Sequence, residues 1–423
     1  MYRFLKIYHS PKLGGTVQIS GAKNSALPLM AATILAKNRV ELTNLPMVAD
    51  IKTMGKLLSR LGAVVDLKNG KGVIDTTSLT GTTATYDIVK TMRASILVLG
   101  SLLGRFGKCQ VSLPGGCAIG ARPVDLHLRG LEQMGVSIRI GGGYIIAEGY
   151  PTGGEIYFNK ITVTGTENLI MAAAMGKGRS KLINIALEPE VEQLLEVLKK
   201  GGVEIRRLGE REVEIEGSWG ELLPLPTPIE IIPDRIEGGT YLAAGAIANS
   251  PVKIKGVLPS HMESILAKFR EMGFGIREKG DEVELLPARR IEPVELITAP
   301  HPQFPTDMQA QFMAVATQAT GISYIEERLF ENRFMHVSEL NRLGAKISIR
   351  GRVAVVEGPS RLIGADVMAT DLRASSCLVL AGLVARGETR VHRIYHLFRG
   401  YEDFVNKFQQ LGAKMELDFE PTP

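Results

Sequence analysis

Six charged side chains, Lys23, Arg93, Glu167, Arg235, Asp307 and Arg373, open six otherwise apolar stretches of this chain. A charge heading an apolar helix is costly unless that end meets solvent or a ligand. Helix N-termini, with unpaired N–H groups and partial positive charge, favour anions there. A second set, Asp50, Arg122, Glu190, His261, Arg333 and Arg399, is expected in the loops that precede amphipathic helices. Most of these groups are cationic, which suits a substrate carrying phosphate or carboxylate. Asp50 and Asp307 add carboxylates that can accept a proton. In VSLPGGCAIGARPVDLH (111–127) a thiol, Cys117, stands five residues before Arg122. A thiol beside a guanidinium can lose or donate a proton readily, and the flanking Gly115, Gly116 and Gly120 let that loop approach a ligand closely. Cys109 and Cys377 lie in apolar contexts and read as inert small hydrophobes.

The elements that position these groups form a repeat. MGKLLSRLGAVVDL, LRGLEQMGVSIRI, LLEVLKKGGVEIRR, ILAKFREMGFGIRE, VSELNRLGAKISIR and FVNKFQQLGAKMEL each combine helical apolar spacing, a glycine and strand-like alternation. Their glycines, Gly62, Gly135, Gly202, Gly273, Gly344 and Gly412, are 67 to 73 residues apart. Each is expected to end a helix in the left-handed conformation. Upstream of each copy lies an apolar, small-residue helix followed by a β-branched strand, so a unit runs strand, helix, strand, helix, strand, strand. The six leading charges fall 35 to 42 residues before their glycines, at nearly equivalent positions. A unit of about 70 residues with a wholly apolar helix cannot stand alone, so three units are expected to cluster in each of two domains. The proline-dense ELLPLPTPIEIIPDRIE (221–237) marks the boundary.

Composition narrows the function. The net charge of +5 over 423 residues is diffuse, with no basic run or aromatic-interleaved basic stripe, which argues against nucleic acid. The three cysteines lack CxxC spacing and the seven histidines form no HExxH, so neither a zinc site nor a disulfide framework is indicated. The odd cysteine count fits a reducing compartment. MYRFLKIYHS lacks the features of a secretory leader, and no apolar run reaches the ~20 residues of a membrane span. A cytoplasmic protein without membrane insertion is expected.

The stretches SGAKNSALPLMAA, YDIVKTMRAS, SLPGGCAIGARPVDLH, PDRIEGGT, TAPHPQFPTDMQAQF, FENRFMH, MATDLRAS and RIYHLFRGYED together resemble the bacterial UDP-N-acetylglucosamine 1-carboxyvinyltransferases, which are enolpyruvyl transferases. The resemblance implies an α/β fold, a two-domain inverse α/β barrel of six βαβαββ repeats, three per domain. It implies an N-terminal domain over 22–231 carrying the Cys117 loop, a C-terminal domain of 1–21 plus 232–423, and an active site in the cleft between them that closes by induced fit. The implied reaction moves the enolpyruvyl group of phosphoenolpyruvate to the 3′-hydroxyl of UDP-N-acetylglucosamine and releases phosphate. This is the first committed step of peptidoglycan synthesis, and so bears on cell wall biogenesis, cell shape and cell division. No cofactor and no metal are implied.

By the same resemblance, Lys23, Asn24, Arg122 and Arg399 contact phosphoenolpyruvate. Asn24, Arg93, Arg122, Pro123, Val124, Asp125, Leu126, His127, Asp307 and Leu329 hold the sugar nucleotide. Cys117 resembles the family's general acid, which also adds covalently to phosphoenolpyruvate and is alkylated by the epoxide fosfomycin. Asp307 resembles the base or orienter of the 3′-hydroxyl, with Asp50, Arg333, Asp371 and Arg373 in support. Where some members carry a VGAT form, this chain has ITVTGTENLIM, and Lys160 and Thr164 are carried over as diphosphate ligands. Two rivals stay open. A 3-phosphoshikimate 1-carboxyvinyltransferase shares the fold and the phosphoenolpyruvate chemistry but lacks the cysteine loop. A non-catalytic UDP-sugar-binding paralogue would be free to lose Lys23, Asp307 or Arg399, and all three are present.

Overall fold

The structure, a computed structural model, describes residues 3–114 and 124–419. Cys117, Arg122 and Pro123 lie outside the described residues. The chain forms two compact units, one built from residues up to Ser20 and from Pro233 onward, the other from Gly21 to Ile232.

The unit spanning Gly21 to Ile232 contains three repeats. The first has α1 (Lys23–Ala32), β3 (Val40–Thr43), α2 (Ala49–Arg60), β4 (Val64–Lys68) and β5 (Lys71–Asp75). The second has β6 (Thr83–Ala84), α3 (Val98–Phe106), β7 (Lys108–Ser112), α4 (Asp125–Gln133), β8 (Ser137–Gly141) and β9 (Tyr144–Glu148). The third has β10 (Gly154–Tyr157), α5 (Val163–Met175), β11 (Arg179–Ile183), α6 (Pro189–Lys200), β12 (Glu204–Gly209) and β13 (Glu212–Glu216), with β14 (Ile229–Glu230) after it. The other unit begins with β1 (Arg3–Tyr8) and β2 (Thr16–Gln18). It then runs α7 (Arg235–Ile247), β15 (Val252–Lys255), α8 (Glu263–Glu271), β16 (Gly275–Lys279) and β17 (Glu282–Leu286). Next come β18 (Glu295–Ile297), α9 (Gln309–Ala316), β19 (Gly321–Glu326), α10 (His336–Arg342), β20 (Lys346–Arg350) and β21 (Val353–Gly358). It ends with β22 (Asp366–Met368), α11 (Leu372–Val384), β23 (Glu388–His392), α12 (Phe404–Gln410) and β24 (Lys414–Phe419).

Among the described residues six four-stranded sheets result, each with one parallel pair followed by antiparallel neighbours. The odd-numbered helices are apolar nearly all round and buried. α1, α3 and α5 pack together in one core and α7, α9 and α11 in the other, with the amphipathic even-numbered helices outside them. Every repeat glycine has positive φ, from 83° at Gly135 to 105° at Gly62, because the chain must reverse from helix into strand there. Gly100 serves a different need. A Cβ at this position of α3 would lie 2.1 Å from the Asn168 carbonyl oxygen of α5, so the two buried helices can meet this closely only over a glycine.

Two strands pair outside their own repeat. β2, which precedes α1, pairs with β15, and β14, which precedes α7, pairs with β3. β1 inserts between β23 and β24 and supplies the strand that the sixth repeat lacks. Ser20, the last residue before the chain leaves this unit, is clamped. Its N–H and hydroxyl meet Glu237 Oε2 and Glu402 Oε2, both at 2.7 Å, while Lys407 Nζ donates to Glu237 Oε1 at 2.6 Å and to the Ser20 hydroxyl at 2.7 Å. Burial lifts the Glu237 carboxyl to about 7 against the pull of Lys407. Since that value lies above the unfolded one, the folded protein keeps the proton longer, and the burial cost of the carboxylate appears only as pH rises. Lys407→Met should therefore destabilise this unit by about 3 kcal/mol at pH 8 and by clearly less at pH 5, where Glu237 can stay protonated. Urea unfolding at the two pH values reads this, and an equal loss at both would contradict it.

The structure revises three placements. Glu167 does not open its helix but lies in the second turn of α5, 2% exposed. Asp50 and Glu190 stand in the first turns of α2 and α6 rather than in the preceding loops. The charge pattern was shifted by up to one turn because helix starts follow the N-cap, Thr162 in the case of α5. Among the described residues no helix is long and apolar enough to cross a membrane.

Candidate active site

In the Gly21–Ile232 unit, Lys23 is the first residue of α1, and its Nζ donates to Asp50 Oδ2 at 3.0 Å with both side chains largely buried. Asn24 beside it is exposed. Arg93 begins a short 3-10 turn, Arg93–Leu97, that contacts α1 and leads into α3. Val124, Asp125 and Leu126 are half-buried at the head of α4, and His127 behind them is buried. The His127 ring spans two side chains of α5, with Nε2 at 3.3 Å from Thr164 Oγ1 and Nδ1 at 2.9 Å from Asn168 Nδ2. Burial and the nearby Arg93 cation push the imidazole down to about 4. Thr162 caps α5, its hydroxyl accepting from Gly165 N–H, while Lys160 ahead of it is exposed. Glu167 takes no part in the anion-binding pattern expected of it. Burial first, then Glu190 and Glu188, raise its carboxyl well above the usual range.

In the other unit the charges converge on one carboxylate. Asp307 lies in the turn Thr306–Met308 ahead of α9 and accepts from two guanidiniums, Arg333 through Oδ1 at 2.6 Å and Arg373 through Oδ2 at 3.0 Å. Both arginines are 6% exposed at the side chain and Asp307 is 27% exposed, so part of the Asp307 side chain stays accessible. Burial would raise the Asp307 carboxyl, but Arg373 and Arg333 together hold it well below the usual range. Burial likewise works against the Arg373 charge, and Asp307 keeps that guanidinium above its ordinary value. Asp371 caps α11 by accepting from the N–H groups of Arg373 at 2.8 Å and Ala374 at 3.0 Å, which fixes the backbone that carries Arg373. Arg373 also donates to the Tyr401 hydroxyl at 3.2 Å. Arg399 ends the 3-10 turn Ile394–Arg399, half-buried. Leu329 is half-buried in the segment after β19. Arg235, beneath its cap Asp234, is 9% exposed. Among the described residues no cluster of His, Cys, Asp and Glu could hold a metal ion.

Each unit thus gathers charged and polar groups at the heads of its buried helices. One unit presents a lysine paired to a carboxylate, an arginine, and a threonine hydroxyl backed by a neutral imidazole. The other presents a carboxylate that stays ionised, braced by two arginines. Known proteins resemble the chain over nearly its whole length. The family model described as EPSP synthase (3-phosphoshikimate 1-carboxyvinyltransferase) matches residues 7–408. A protein named UDP-N-acetylglucosamine 1-carboxyvinyltransferase from a Nitratiruptor species is 58% identical over 416 residues, 98% of this chain and 99% of that protein. One of the same name from Wolinella succinogenes is 58% identical over the same shares of the two chains. This chain belongs to the UDP-N-acetylglucosamine 1-carboxyvinyltransferase family. The fold agrees with that membership. The enolpyruvyl transferase NikO from Streptomyces tendae superposes with a TM-score of 0.90 at 26% identity, covering 99% of this chain and 100% of its own. An EPSP synthase from Acinetobacter baumannii reaches 0.76 at 15% identity over the same shares, a likeness of fold alone.

Reading the sequence missed residues that hold the Asp307 cluster in place. Glu327, 1% exposed, accepts from the Thr298 and Thr306 hydroxyls at 2.9 and 2.8 Å and from the N–H groups of Leu329 at 2.9 Å and Phe330 at 3.1 Å. Thr306 in turn accepts from Arg333 at 2.9 Å, so Glu327 secures both the Leu329 segment and one arm of the Asp307 cluster. The alternation of β19 did carry a signal, since Ser323 and Ile325 are buried, Glu327 just past the strand continues that buried alternation, and a carboxylate there must be serving hydrogen bonds. Tyr401 is a second omission. Its hydroxyl joins Arg373 to Thr240 and Ser376 in the buried helix layer.

Proposed function

We propose that this chain transfers the enolpyruvyl group of phosphoenolpyruvate to the 3′-hydroxyl of UDP-N-acetylglucosamine and releases inorganic phosphate. The observation that carries the reading is 58% identity, over nearly the full chain, to relatives bearing that name. A proton adds to the methylene carbon of phosphoenolpyruvate as the sugar oxygen bonds to its C2. The adduct then loses phosphate and a methyl proton to restore the double bond. Lys23, Arg122 and Arg399 hold the phosphate and carboxylate while charge redistributes. Asn24, Arg93, Val124 to His127 and Leu329 hold the sugar nucleotide, with Lys160 and Thr164 at its diphosphate. Asp307 supplies an ionised acceptor to the 3′-hydroxyl. Its depressed pKa suits an orienter of that hydroxyl better than a general base, whose pKa would lie near the working pH. Arg333, Arg373 and Asp371 keep it in place, and Asp50 does the same for Lys23. The product feeds peptidoglycan synthesis in the cytoplasm.

Cys117 is the proton donor in this reading and the target of fosfomycin. Cys117→Ser should lose most turnover near neutral pH and all covalent labelling by fosfomycin, read by phosphate release and intact mass. Cys117→Asp keeps an acid in place, so it should turn over while resisting the epoxide. Retention of both turnover and labelling in Cys117→Ser would remove the thiol from the chemistry. The reading as a whole is tested by phosphate release from phosphoenolpyruvate with either UDP-N-acetylglucosamine or shikimate 3-phosphate as acceptor. Release with the first alone is expected, and release with the second alone, or with neither, overturns it.

A further inference from the structure

The His127 ring by itself leaves its tautomer open, but its neighbours do not. Asn168 is wholly buried, and its Oδ1 accepts from the Gly100 N–H at 2.8 Å while its Nδ2 donates to the Ile96 carbonyl at 3.0 Å. Backbone donors and acceptors cannot exchange roles, so the amide orientation is determined twice over. Its remaining N–H therefore points at His127 Nδ1, 2.9 Å away, and that nitrogen must be an acceptor. A neutral ring then carries its proton on Nε2 and donates it to Thr164 Oγ1. A hydroxyl has one hydrogen. With Thr164 accepting from His127, its own hydrogen must go elsewhere, and among the described residues no acceptor is seen to take it.

We infer that His127 and Asn168 are positioning residues that lock the imidazole as the Nε2–H tautomer, so that the Thr164 hydroxyl is held as a donor to an anionic oxygen of a nucleoside diphosphate. The inference rests on the sugar-nucleotide reading above for the identity of the ligand, and on the hydrogen-bond chain for the direction of the donor. Arg93, the charged group facing the ring, works in the same sense, because a cation beside the imidazole keeps it neutral. The device also explains Gly100. A side chain at that position would displace Asn168 and release the lock.

Two measurements test it. In the unmodified protein at neutral pH, ¹⁵N spectra of the histidine rings, assigned by loss of the His127 signals in His127→Gln, should show Nδ1 as the bare nitrogen and Nε2 as the protonated one. The opposite tautomer or an imidazolium overturns the lock. Calorimetry with UDP as the probe should show affinity falling about tenfold in Thr164→Val, the scale of one hydrogen bond to a charged oxygen, and recovering in Thr164→Ser. His127→Met should cost a similar factor in the natural background and nothing more in Thr164→Val. Additive losses, or an affinity indifferent to Thr164, overturn the inference. Because UDP binding is read apart from turnover, a protein that binds UDP through Thr164 but releases no phosphate would sink the proposed reaction and leave this inference standing.

Discussion

Asp307→Asn should reduce turnover by about 10² fold, the scale of misplacing a reacting hydroxyl, and should also weaken the fold. The carboxylate is the shared counter-ion of Arg333 and Arg373, both nearly buried. The amide cannot neutralise either, so two guanidiniums are left facing each other with little solvent. Removing one partner of a buried pair costs about 3 to 5 kcal/mol, and the 27% exposure of Asp307 brings the expectation down to about 2 to 3 kcal/mol. For a unit of this size that lowers the melting temperature by about 5 to 10 °C. The pH dependence has a definite sign. Since the folded carboxyl lies below its ordinary 3.8, its contribution is fully present above about pH 4 and is lost only as pH falls below that. The variant should therefore be equally destabilised at pH 6 and pH 9, by thermal unfolding, and any acidic limb of the wild-type rate above pH 5 should persist in it. A penalty that faded between pH 6 and pH 9 would mean that Asp307 titrates there and acts as a base after all.

Lys23→Met should cost turnover about 10² to 10³ fold, comparable to removing one preorganised donor from a developing negative charge. The ammonium is compact, is held at 3.0 Å by Asp50 and stands at the head of α1. Lys23→Arg should rescue it poorly, because the planar guanidinium is larger and directs its donors along different lines. Asp50→Ala leaves the cation in place and removes only its tether, so its loss should be smaller, about tenfold. Steady-state phosphate release across the three variants reads this ranking, and an Asp50→Ala protein as impaired as Lys23→Met would show that the carboxylate does more than hold the lysine.

Much of this molecule was legible before any coordinates. The six glycines announced six helix stops, and all six have positive φ. The apolar stretches behind Lys23, Arg93, Arg235 and Arg373 announced helices that had to be buried, and each lies in a core. Periodicity could say this because burial is written locally, in the spacing of apolar residues along three or four turns. Glu167 shows the limit of that reading. Counting back from a glycine locates a helix only to about one turn, and a turn separates a group at the mouth of a helix from one sealed inside it.

Partnership between distant residues was not legible. The sequence by itself determined the repeat, the two kinds of helix, the family and the types of charge available, because these depend on residue type and short-range spacing. Only the tertiary structure decided that Asp307 is shared by Arg333 and Arg373, that Glu327 secures the Leu329 segment, that β1 completes the sixth repeat, and that Asn168 sets the proton on His127. Apart from the short-range hold of Glu327 on Leu329, each of those depends on hydrogen-bond geometry between segments 26 to more than 380 residues apart, where a difference of one ångström or one rotamer separates a partner from a neighbour.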